Sequence, residues 1–133
     1  MTTSPPDDVK GHQRLEGKAV LITAAAGAGI GFSAAQRAVE EGARAVFISD
    51  IHEGRLEQAV TTLSGLSDKV KVQGIRADVT EETDVQHLVA TADEATGGVD
   101  VLINNAGLGG TRLLVDMTDE ERSSVLDTPL TGT

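Results

Sequence analysis

Four short apolar runs, each separated from the next by a stretch with helical spacing, constrain this chain more than any other feature. Ala19-Val-Leu-Ile-Thr23, Ala45-Val-Phe-Ile48, Val70-Lys-Val-Gln-Gly-Ile75 and Val99-Asp-Val-Leu-Ile103 read as strands. Between them apolar residues recur three and four apart. Ala34, Ala35, Ala38 and Val39 do so in the stretch 32–41, Leu56, Ala59, Val60 and Leu63 in 53–64, and Val85, Leu88 and Val89 in 81–95. Strands alternating with amphipathic helices mean βαβ units, and hence an α/β fold on a parallel sheet. Runs one, two and four are apolar almost throughout, as expected of strands covered on both faces. Gly42 stands where a helix C-cap glycine would, and Thr118-Asp-Glu-Glu121 is a capping box opening a last helix.

Composition narrows the function classes. A chain of 133 residues fits one domain with a real core. A formal charge of -10 argues against nucleic acid or an anionic membrane surface as partner, since both call for a basic face. There is no cysteine for a disulfide or a thiolate metal site, and His12, His52 and His87 are isolated. Residues 1–14 read as a disordered polar tail, whose first eight residues lack the apolar centre of a signal peptide. Residues 15–133 read as one domain. No apolar run approaches the roughly 18 residues of a membrane helix, and a cytoplasmic setting is expected.

The turn after the first strand, "ITAAAGAGIG", carries Gly27, Gly29, Ile30 and Gly31 into the first helix. At that point of a βαβ unit a dinucleotide pyrophosphate meets free backbone N–H groups and the positive end of the helix dipole. Asp50 ends the second strand 19 residues after Gly31, about the spacing at which a carboxylate takes hydrogen bonds from an adenosine ribose. A packing loop and a helix-capping aspartate are the plain alternatives. The two features falling at matching points of one βαβ unit favour a cofactor.

The strand end "NNAG", residues 104–107, adds a specific resemblance. Together with "GAGIG", Asp50 and "ADV" at 77–79, it makes the chain from about residue 15 onward similar to the classical short-chain dehydrogenase/reductases. The resemblance implies a Rossmann-like, doubly wound parallel sheet with strand order 3-2-1-4, ending after strand four and the start of the next helix. It implies a pyrophosphate loop at Gly27, Gly29, Ile30 and Gly31, and ribose hydroxyls held by Asp50. Asp78 and Val79 would flank the adenine, and Asn105, Ala106 and Gly107 would support the cofactor. An acid at Asp50 followed by Ile51 resembles members preferring NAD over NADP, because a carboxylate repels a 2′-phosphate and no arginine follows it.

The chain departs from the family pattern in three places. Thr23 is followed by Ala24, and Gly29 comes one residue late. Either the turn has a one-residue insertion, or Ala24 and Ala25 occupy the usual Thr and Gly positions. Pro129 stands where the family commonly has asparagine. The family's catalytic serine and Tyr-x-x-x-Lys would lie beyond residue 133, and these residues contain no tyrosine. The expected function is therefore an NAD(P)-dependent oxidoreductase acting on a secondary alcohol or ketone, present as its cofactor-binding half and inactive alone. In such a half, only Leu108 to Met117 would contribute to a substrate pocket, and self-association is expected. A non-catalytic nucleotide-binding module is the alternative, and a Rossmann-like methyltransferase a weaker one.

Overall fold

The computed structural model describes residues 9–108 and 114–131. The polar reading of residues 1–8 and the expected pocket residues 109–113 lie outside the described residues. The elements are β1 (Ala19–Ile22), α1 (Ile30–Glu40), β2 (Ala45–Asp50), α2 (Glu53–Ser64), β3 (Lys71–Arg76), α3 (Glu82–Thr96), β4 (Val101–Ile103) and α4 (Asp119–Leu126). A 3-10 turn spans Leu114–Asp116, and α4 continues into a π-type turn, Asp127–Thr131. Pro129 lies inside that turn. A ring without an N–H breaks the regular α-helical ladder, which is consistent with the change of pitch.

The strands form one parallel sheet in the order β3-β2-β1-β4, as the resemblance implies. Alternation along each strand divides the core between the two faces. Val20, Ile22, Val46 and Ile48 pack against Ala35, Ala38 and Val39 of α1 and Leu56, Ala59 and Leu63 of α2. Leu21, Phe47 and Ile75 pack on the other side against Leu88 and Ala92 of α3. Burying each large side chain of this kind contributes about 1.5–3 kcal/mol, so the sheet centre dominates the stability.

Two expectations about burial are corrected. β4 is not covered on both faces: Val101 and Ile103 are half-buried, while Leu102 is 54% exposed. It lies at the sheet edge, and among the described residues α3 sits over β2 and β3. Val89 does not face inward but is 47% exposed, because α3 presents Leu88 and Ala92, one turn apart, to the sheet.

Helix ends follow local chemistry. Gly42 takes φ +76°, its N–H donating to Val39 O and that of Ala43 to Ala38 O, which closes α1 in a Schellman turn. Thr118 and Glu121 bond reciprocally as a capping box at α4. The described part of the expected tail, residues 9–14, runs along the end of α1. There the buried Glu41 carboxylate accepts from the N–H groups of His12 (2.7 Å) and Arg14 (3.2 Å) and from Arg37 Nη2 (2.6 Å).

Candidate functional site

Parallel strands bring all four carboxyl ends to one edge. From β1 the chain passes to β2 and β3 on one side, while β4 pairs on the other, so the turns leaving β1 and β4 part and open a crevice. There lies a cleft of about 460 Å³, whose wall includes Ala24, Asp50, Ile51, Ala77, Asp78, Val79, Thr80, Ala106, Gly107 and Leu108, with Ser124, Asp127 and Thr128 closing one side.

Thr23 ties the two parting turns together. Its hydroxyl accepts from the N–H groups of Asn105 and Ala106, both at 3.0 Å. Asn105 Nδ2 donates back to the carbonyls of Thr23 (3.2 Å) and Ala24 (3.1 Å). Asn105 is thus a strut between turns and not a lining group. Beneath it, Gly31 admits no side chain: a Cβ would stand 2.5 Å from Asn105 Nδ2 and 2.8 Å from Ala24 O. Thr23 itself makes the strand-end contact to Asn105 and Ala106. The turn that follows starts with Ala24 at φ +53°, a left-handed conformation unusual for alanine.

The end of α1 facing the crevice is bare. Gly29 caps the helix without a side-chain bond, and no acidic residue sits in the first turn. Among the described residues, the N–H groups of Gly27, Ala28 and Gly29 have no acceptor. Unpaired donors at the positive end of an eleven-residue helix fit an anion such as a pyrophosphate. Ile30, 82% exposed, projects from this turn.

Asp50 lies at the far side of the crevice, anchored at both oxygens. Oδ2 accepts from Ala26 N (3.2 Å), a bond to the glycine-rich turn itself, and Oδ1 from His52 N (3.0 Å). Each oxygen keeps capacity for a further donor.

Asp78 follows β3. Its Oδ1 accepts from Thr80 Oγ1 (2.6 Å) and Thr80 N (3.0 Å), and its backbone N–H donates to Asp84 Oδ2 (2.9 Å). The hydroxyl of Thr80 first, then its N–H and the nearby Arg76 charge, hold the Asp78 carboxyl below the ordinary 3.8. It is therefore a pure acceptor at neutral pH.

Of the residues singled out by sequence, Asp50, Asp78, Val79, Ala106 and Gly107 line the cleft. Gly27, Gly29, Ile30 and Gly31 are not among its lining residues, although Ala24 of the same turn is, and Asn105 braces the turn. The sequence reading missed Thr80, whose Asp-x-Thr spacing is an ordinary turn signal, and the three residues from the end of α4, which only folding back brings near.

Residues 18–133 match the family described as short chain dehydrogenase, and the chain belongs to that family. A curated relative from Mycobacterium tuberculosis, (5R,7aS)-5-hydroxy-7a-methyl-1-oxo-2,3,5,6,7,7a-hexahydro-1H-indene-carboxyl-CoA reductase, is 47% identical over 96% of this chain and 48% of its own length. The 3-oxoacyl-[acyl-carrier-protein] reductase of Thermotoga maritima is 37% identical over 90% of this chain and 47% of its own. The chain thus spans about half the length of the curated relatives it matches. Among solved structures, a short chain dehydrogenase from Mycobacterium smegmatis superposes with a TM-score of 0.91 at 47% identity, covering 97% of this chain and 53% of that one. L-sorbose reductase from Gluconobacter frateurii, solved with NADPH and L-sorbose, gives 0.81 at 27% identity, over 92% and 44%. These matches leave the methyltransferase alternative without support.

Proposed function

We propose that this chain is the dinucleotide-binding half of an NAD(P)-dependent oxidoreductase, and that it prefers NAD. The carrying observation is one cleft, at the switch point of a parallel sheet, with two acceptor carboxylates in its wall and, after the turn that lends it Ala24, an uncapped helix terminus. In this reading Gly27, Gly29, Ile30 and Gly31 receive the pyrophosphate, and Asp50 takes the ribose hydroxyls. Asp78 and Val79 border the adenine, while Ala106 and Gly107 support the cofactor at the end of β4 and Asn105 supports it by bracing that turn. The bound cofactor supplies hydride chemistry between a nicotinamide and a secondary alcohol or ketone carbon. The residues named bind and orient it. The 47% identity to a reductase of a ring-bearing acyl-CoA makes a ring alcohol or ketone of that class the first substrate to try.

These 133 residues contain no tyrosine and so no Tyr-x-x-x-Lys to protonate a carbonyl oxygen. Alone they bind without turning over. A cytoplasmic setting and self-association along the open β4 edge belong to the same proposal.

Calorimetric titration with NAD and NADP tests the cofactor assignment. A 2′-phosphate would meet the Asp50 carboxylate, so NAD binds at least tenfold more tightly, the ratio given by about 1.4 kcal/mol. Equal affinities would overturn the preference, and no binding of either would overturn the site. In a parallel assay, ketone reduction by this chain stays at the no-enzyme rate.

A further inference from the structure

We infer that residues 9–14 form a strap that acid releases from the C-terminal end of α1 while the sheet holds, with the Glu41 carboxylate as its latch. The inference is independent of what the cleft binds. The strap buries almost nothing of its own, since residues 9–14 are all exposed. The chain joins the body of the protein at Leu15, which packs against the core and donates from its N–H to Glu41 O (3.1 Å). Polar contacts from Arg37 and Glu41 therefore hold the strap down.

These two side chains work together. Glu41 Oε2 accepts from the N–H groups of His12 (2.7 Å) and Arg14 (3.2 Å), and Oε1 from Arg37 Nη2 (2.6 Å). Arg37 Nη1 donates in turn to the carbonyl of Val9. All three partners of the carboxylate are donors, and its side chain is only 6% exposed. A proton added to either oxygen sets a donor against a donor and removes the charge that Arg37 meets.

The charged groups around the latch are Arg37 and Glu40 on α1, Lys10, His12 and Arg14 on the strap, and Glu16 and Arg44 on the bridged segments beyond. The basic ones all favour an ionised Glu41, so a positive charge gained by His12 tightens the latch. Glu40 touches the same guanidinium, but at 3.4 Å and through Nη1. Loss of the Glu41 charge is thus the event that lets go. Release also relaxes Gln13, which the closed strap holds in the left-handed region at φ +59°. The fit is tight where the strap crosses the helix end: a Cβ on Gly11 would stand 2.0 Å from Glu40 O.

Amide NMR of the chain across the carboxylate range, from about pH 7 to about pH 3, tests this. At neutral pH the strap amides should have order parameters of about 0.85, like those of α1. In acid the His12 and Arg14 amide protons should shift upfield together and the strap fall below about 0.6, while the amides of Val20, Phe47 and Ile48 stay protected. Glu41→Gln, whose amide group must turn its NH2 toward one of the donors, should free the strap at neutral pH and abolish the transition. Glu40→Gln should keep both the closed strap and the transition. Gly11→Ala should free the strap at neutral pH with the carboxylate intact. A strap that stays ordered until the sheet amides exchange, or that is ordered at neutral pH in Glu41→Gln, overturns the inference. Should Glu41→Gln fail to fold, Gly11→Ala decides, and an ordered strap with unchanged His12 and Arg14 shifts overturns it.

Discussion

Ala24 shows how a single residue can carry the backbone strain of the glycine-rich turn. Its φ of +53° places an L-residue in the left-handed region, with its side chain exposed at the cleft. That conformation costs an alanine about 1–2 kcal/mol. Glycine would escape the cost, but its unfolded chain has more freedom to lose, by about 0.4–1 kcal/mol. The relief is the larger effect. Ala24→Gly should therefore stabilise the chain by roughly 0.5–1 kcal/mol, read as a higher urea midpoint at unchanged slope.

At the scale of elements, Glu41 links the end of α1 to the segment before β1. The N–H groups of His12 and then Arg14, with Arg37 adding its charge, hold its carboxyl below the ordinary 4.5. A depressed folded-state value means that the stabilisation is complete above the unfolded value and is lost as pH falls through the folded one. Asp78 acts with the same sign from an ordinary 3.8. Urea midpoints should be flat above about pH 5 and fall with acid below it. In Glu41→Gln the neutral-pH midpoint should drop and the acid slope should shrink, leaving the contribution of Asp78. An acid slope identical to that of the unmodified chain would show that Glu41 does not couple folding to protons. The same element scale explains why α3 exposes Val89: helical spacing identifies an apolar stripe, but the sheet beneath selects which part of it is buried.

Across the whole molecule, the sheet has two unequal edges. β3 carries Lys71 and Arg76 at its ends, charges that discourage pairing with another strand. β4 offers Val101, Leu102 and Ile103 with no charge among them, and Leu102 is half exposed. A net charge of -10 opposes association, yet at physiological salt repulsion is screened within about 8 Å, too short to protect an edge in contact. Sedimentation should therefore show concentration-dependent association, reduced by Leu102→Lys. A monodisperse monomer at high concentration would show that the edge is protected in solution.

Much of this was legible in the residues because it depends on local chemistry. Alternating apolar runs and helical stripes specify strands and helices, Gly42 has the one side chain that a left-handed C-cap accepts without cost, and Thr118 with Glu121 satisfy each other's donors. "NNAG" and the spacing from Gly31 to Asp50 pointed to the family and to one end of the sheet. What depends on contacts far apart in the chain was not legible. Asn105 proved a brace because Thr23, some eighty residues earlier, offers it a hydroxyl and a carbonyl, and Ala24 a second carbonyl. Glu41 became a buried hub because the segment at 12–14, read as tail, returns to it. The exposure of Leu102 followed from α3 sitting over β2 and β3 and not over β4. A sequence specifies the hydrogen-bonding and apolar character of each residue; only the tertiary arrangement decides which distant partner satisfies it and which face water still reaches.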